Sequence, residues 1–112
     1  MKTINPKETG LKEISNFFTS AVVPRPIAFV STINIDGQAN LSPFSFFNIF
    51  SSDPPIMIFS PAKSALSGKQ KDTYHNVKAI PECVIHIANY AMVEQLSVTS
   101  GAYPTDINEF IK

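Results

Sequence analysis

Residues 27–37, IAFVSTINIDG, constrain this chain more than any other stretch. Nine residues rich in β-branched and aromatic types end on Asp36-Gly37, a dipeptide suited to a tight hairpin turn. The pattern predicts a strand over 27–35, a turn at Asp36-Gly37 and a return through Gln38–Leu41. A third strand is expected over 44–50, and a short buried one over 56–60, bounded by prolines on both sides. A fifth is expected over 82–89, with Val84, His86 and Ala88 on one face and Cys83, Ile85 and Ile87 on the other. Successive strands with brief connections favour an antiparallel barrel or sandwich over a parallel sheet.

The helices are short and lie between and around these strands. Leu11, Ile14, Phe17 and Phe18 have helical spacing, and a helix over 11–20 must end before Pro24. Pro24 and Pro26 then hold Arg25 in an extended entry to the first strand. KDTYHNVKAI reads as a helix with Asp72 or Thr73 as N-cap, stopped by Pro81. AMVEQLSVTSG reads as another, closed by Gly101, and DINEFIK as a short last one.

At 112 residues the chain is expected to form a single domain, 1–112, with one core. Charged residues are only 16%, so some apolar area is expected to lie against a partner chain or ligand. About five strands with no closing one imply a longer parent protein or a second subunit that supplies the edge. Nine basic and nine acidic residues leave no positive field for nucleic acid. Cys83, the one cysteine, excludes an internal disulfide or a cysteine-based zinc site, and its apolar neighbours predict a buried small hydrophobe. The first residues carry charges where a signal peptide needs an apolar segment, and no run reaches a membrane span. A cytoplasmic protein is expected.

Three stretches carry polar groups that folding alone does not require. In ANLSPFS, Ser42 and Ser45 flank Pro43, whose missing N–H is expected to leave a gap in the sheet ladder. Such a gap suits a planar heteroaromatic ring with its edge against main chain; a barrel corner whose hydroxyls bond locally is the alternative. In FSPAKSALSGKQKDT, Ser60, Lys63, Lys71 and Thr73 surround a helix start, a favourable place for phosphate, although lysine-rich loops are common. Arg25 is placed to orient a ligand or pair with a carboxylate. His86 reads as a core or interface residue and His75 as exposed. No carboxylate pair, nucleophile triad or metal-ligand spacing stands out.

Taken together, VVPRPIAFVSTINIDGQANLSPFSFFNIFSSDPPIMIFSP, KDTYHNV and MVEQLSVTSGAYP resemble the flavin reductase-like, FMN-binding split-barrel proteins, over nearly all the chain from about residue 11. The resemblance implies a mainly β, Greek-key split barrel with short peripheral helices, a homodimer, and FMN held non-covalently near the subunit interface. It implies that Asn40, Leu41, Ser42, Pro43, Phe44 and Ser45 line the ring edge, largely through backbone. Thr32 and Ser60 would approach the ribityl chain or phosphate. Lys71 and Thr73, with Asn76 and Lys63, would hold the phosphate. The implied reaction is hydride transfer from NADH or NADPH to flavin, which needs no catalytic side chain of the protein. Family members generally continue past the TSG-x-YP segment, so the barrel is expected to be incomplete at the C-terminal side. An FMN-binding electron carrier and a cofactor-free dimeric interaction module are the alternatives.

Overall fold

The structure, a computed structural model, describes residues 1, 3–63, 67–101, 103–104 and 108–111. Five strands form β1 (Ala28–Ile33), β2 (Ala39–Phe44), β3 (Phe47–Ser52), β4 (Pro55–Phe59) and β5 (Val84–Ile87). Three α-helices, α1 (Leu11–Ala21), α2 (Asp72–Ala79) and α3 (Val93–Thr99), lie around them, with single 3-10 turns at Tyr90–Met92 and Glu109–Ile111. The strands make two antiparallel sheets, ordered β2-β1-β5 and β3-β4. The predicted hairpin is β1–β2. Gly37 takes φ +80° at its turn, and Asn34 organises it: its Oδ1 accepts from the Asp36 and Gln38 N–H groups at 3.0 and 2.9 Å.

Register decides which residues share a face. Ala28, Val30 and Thr32 stand opposite Phe44, Ser42 and Asn40 on β2, and Ile85 stands opposite Val30 on β5. Directly paired residues project to the same side of a sheet. One face therefore grades from apolar (Ala28, Val30, Phe44, Ile85) to polar (Thr32, Asn40). At the apolar end Phe47 and Phe59 of the second sheet complete the core, with the Phe44 and Phe59 rings 5.4 Å apart. At the polar end the Asn76 Nδ2 of α2 donates to Thr32 Oγ1 at 3.1 Å, and Thr73 Oγ1 donates to Asn40 Oδ1 at 2.9 Å.

Several expectations are corrected. The strand foreseen over 44–50 is two: β2 ends at Phe44, and the chain bends through Ser45-Phe46 into β3, with Ser60 N–H donating to Phe46 O at 2.9 Å. β4 is not buried; four of its five residues are exposed because no described element covers its outer face. The N-cap of α2 is Lys71 and carries no side-chain cap bond, since the Thr73 hydroxyl is used by Asn40. α3 closes on Ser100 in a right-handed conformation, not on Gly101. A Cβ at Gly101 would lie 3.1 Å from the Tyr103 ring, so close approach accounts for that glycine. Cys83 is exposed, lying just before β5 instead of within it. His86 is also exposed, on β5, and not a core residue; His75 on α2 is exposed, as expected. Of the last predicted helix, Glu109–Ile111 form a 3-10 turn, while residues 106, 107 and 112 lie outside the described residues. No helix among the described residues is long and apolar enough to cross a membrane.

Candidate functional site

Pro43 creates no gap between β1 and β2; it stands in register opposite Phe29. The ladder explains why. Asn34 N–H donates to Gln38 O at 3.0 Å, and antiparallel pairs alternate between bonded and non-bonded. Stepping by two, Thr32/Asn40, Val30/Ser42 and Ala28/Phe44 are the bonded pairs. The main-chain groups of Leu41 and Pro43 therefore face away from β1, on the free edge of the sheet. A proline is tolerated there because its absent N–H was never owed to a neighbour.

Over residues 41–43 that edge is polar in one sense only. Leu41 N–H is taken by Glu109 Oε2 at 3.3 Å, and Glu109 Oε1 accepts from Asn40 Nδ2 at 3.0 Å. With one donor engaged and the next missing, the edge offers the carbonyls of Leu41 and Pro43. The carboxylate of Glu109 is buried, and its contacts span 69 residues of sequence.

A cavity of about 730 Å³ opens against this edge. Asn40, Ser42, Pro43, Phe44 and Ser45 form one wall, Ser60 and Lys63 follow β4, and Lys69–Asp72 bring the start of α2. Thr99–Gly101 at the end of α3, and Glu109, close the remaining side. Lys71 is half-buried with its Nζ 5.2 Å from the Phe44 ring centroid, a cation–π distance that holds the ammonium over the cavity floor. Lys63 and Lys69 are exposed at the rim.

Eight of the twelve residues singled out from sequence line this cavity: Asn40, Ser42, Pro43, Phe44, Ser45, Ser60, Lys63 and Lys71. Thr32, Leu41, Thr73 and Asn76 do not. They are buried beneath it, and three of them (Thr32, Thr73 and Asn76) have side chains spent on the bonds that seat α2 on β1 and β2. Lys69, Gln70, Thr99, Ser100, Gly101 and Glu109 were missed. The SVTSG run carried a sequence signal for three of them. Glu109 carried none, because its partner lies far away along the chain.

Arg25 bonds main chain. Its Nη1 donates to Thr19 O at 2.8 Å and Val22 O at 2.7 Å, satisfying carbonyls that the end of α1 leaves open. Its Nε donates to Ser45 Oγ at 3.3 Å, and its guanidinium carbon is 5.8 Å from the Phe46 ring centroid. No group of three or more His, Cys, Asp or Glu able to hold a metal occurs among the described residues.

The chain is similar in sequence and fold to known proteins. A Bacillus subtilis protein, the uncharacterised YwrF, is 37% identical over 105 residues, which are 94% of this chain and 50% of the relative. The crystal structure of nitrilotriacetate monooxygenase component B from Bacillus cereus superposes with a TM-score of 0.88 at 33% identity, covering 99% of this chain and 54% of that one. A Shewanella frigidimarina structure described as having a split barrel domain superposes at 0.73 with 21% identity, covering 99% and 55%, which shows the fold. The chain spans about half the length of the relatives it matches. The family model described as "Flavin reductase like domain" matches residues 19–112, and the chain belongs to that family.

Proposed function

We propose that the protein binds FMN in the cavity beside β2 and, as a flavin reductase-like oxidoreductase, transfers hydride from NADH or NADPH to the flavin. The observation that carries this reading is the cavity's division into two chemistries. Its lining combines the β2 edge at Pro43 and the small hydroxyls of Ser42 and Ser45 with three ammonium groups, those of Lys63, Lys69 and Lys71, before and at the start of α2. Acceptor carbonyls suit the imide N–H of an isoalloxazine ring, and ammonium groups near a helix N-terminus suit a phosphate. A cavity of about 730 Å³ lies within the range typical of cofactor sites, roughly 300–1,000 Å³.

Ser42 through Ser45 would hold the ring edge, and Ser60, Lys63 and Lys71 the phosphate end, with Lys69 beside them. Thr32, Asn40, Thr73 and Asn76 serve one step removed, by fixing α2 so that Lys71 meets the cavity. Flavin supplies two-electron chemistry when bound, so the chain's own task is to bind, orient and exclude water. Exposed Ile49, Phe50, Met57 and Ile58 on the β3–β4 hairpin support a homodimer built on that hairpin. A cytoplasmic site of action fits a nicotinamide co-substrate.

The test is a titration of the protein with FMN and with riboflavin, followed by absorbance. Lys71→Ala should weaken FMN by roughly tenfold to a hundredfold, since a bond to a charged group contributes about 1.5–3 kcal/mol, and leave riboflavin unchanged. Equal loss for both ligands refutes the phosphate assignment. Adding NADH or NADPH to the complex should bleach the flavin bands. Bands that respond to dithionite alone would point to an electron carrier.

A further inference from the structure

Ser45 and Phe46 belong to neither sheet ladder, yet they form the wall between the ligand cavity and a second, more apolar one of about 460 Å³. Two contacts hold that wall: the Ser60 N–H bond to Phe46 O, and Arg25, twenty residues away in sequence. Arg25 approaches from the second cavity, which it lines, and reaches Ser45 Oγ with its Nε while lying against the Phe46 ring.

The direction of that bond settles what Ser45 can do. A guanidinium only donates, whereas a serine hydroxyl has one proton and two lone pairs. Ser45 Oγ must therefore accept from Arg25, and its own proton has no acceptor among the described residues. Ser45 also lines the ligand cavity. We infer that Arg25 is a positioning residue that fixes Ser45 as a hydrogen-bond donor into the cavity, there to recognise an acceptor atom on the edge of the flavin ring. The cation behind the hydroxyl strengthens it as a donor, because hydrogen bonds in series polarise one another. This inference rests on the flavin reading and adds a polarity to it. The β2 edge accepts through the Pro43 carbonyl, the adjoining corner donates through Ser45, and a ring with alternating donors and acceptors satisfies both.

The experiment is a double-mutant cycle read by FMN affinity and by the visible absorption maxima of the bound flavin, with thermal melts to confirm folding. Ser45→Ala should lose about tenfold in affinity and shift the maxima, and Ser45→Thr should restore both. Arg25→Lys keeps a cation for the two α1 carbonyls but removes the Nε–H fork. It should lose about threefold in the wild-type background and nothing further in Ser45→Ala. Equal losses in both backgrounds would show Arg25 acting on stability alone and overturn the inference, with the FMN reading intact. So would Ser45→Ala binding FMN as tightly as wild type, a result that stands even if Arg25→Lys does not fold. Absence of FMN uptake by the wild-type protein overturns both readings together.

Discussion

Glu109→Ala removes the acceptor of two donors at once, and its cost can be worked from the contacts. Asn40 Nδ2 and Leu41 N–H lose partners at 3.0 and 3.3 Å, at a carboxylate only 7% exposed. A buried donor left without a partner costs about 1–3 kcal/mol. The cavity beside Glu109 admits water to the vacated space, which puts each loss near the lower bound, about 2–3 kcal/mol in all. Asn40 cannot adapt by turning its amide over, because its Oδ1 already accepts from Thr73. Urea unfolding of both proteins measures the effect. With a slope of roughly 1.5 kcal/mol/M the midpoint should fall by roughly 1.3–2 M and the slope should not change. Glu109→Gln should fall less far, since one oxygen still accepts while its amide group confronts the second donor. In an Asn40→Ala background the loss should shrink by at least about 0.5 kcal/mol, the coupling expected of residues in contact. A midpoint shift for Glu109→Ala below about 0.3 M would refute the bridging role.

Three further outcomes are expected. Val30→Ala, in the fully buried centre of β1, should destabilise by about 1.5–3 kcal/mol, measured by the same urea transition. Gly37→Ala should cost about 1 kcal/mol, because open space surrounds the site but φ is +80° there, and a melting temperature equal to wild type would contradict that strain. Ile49→Asp on the exposed hairpin should convert the proposed dimer to monomer in light scattering while leaving the spectroscopic signature of the fold unchanged; a persistent dimer would place the interface elsewhere.

The parts of the fold legible in sequence were those set by local chemistry. Asp36-Gly37 named its turn, prolines bounded α1 and β4, and the β-branched run named β1. The ANLSPFS and lysine segments marked most of the cavity wall, because small hydroxyls and clustered ammonium groups have few structural reasons to sit there. What stayed hidden depended on tertiary partners. Thr73 has the chemistry of an N-cap, and only the approach of Asn40 diverts it. Glu109 looks like any acidic residue of a short helix until the chain brings it to β2. Arg25 has many possible partners in sequence, and the neighbouring α1 carbonyls and distant Ser45 are settled by packing. Burial of β4 was expected from apolar composition, which cannot tell a core strand from one that no described element covers.

The free edge of β2 has a consequence beyond ligand recognition. An exposed strand edge normally templates pairing with another chain, and aggregation begins at such rows of unmatched donors and acceptors. Here Glu109 occupies the Leu41 donor and Pro43 has none to offer, so the carbonyls of an incoming strand would find no donor at either residue. Two residues thus make this part of the edge a poor template for a ladder, while leaving the Pro43 carbonyl for the proposed ring, which brings its own donor.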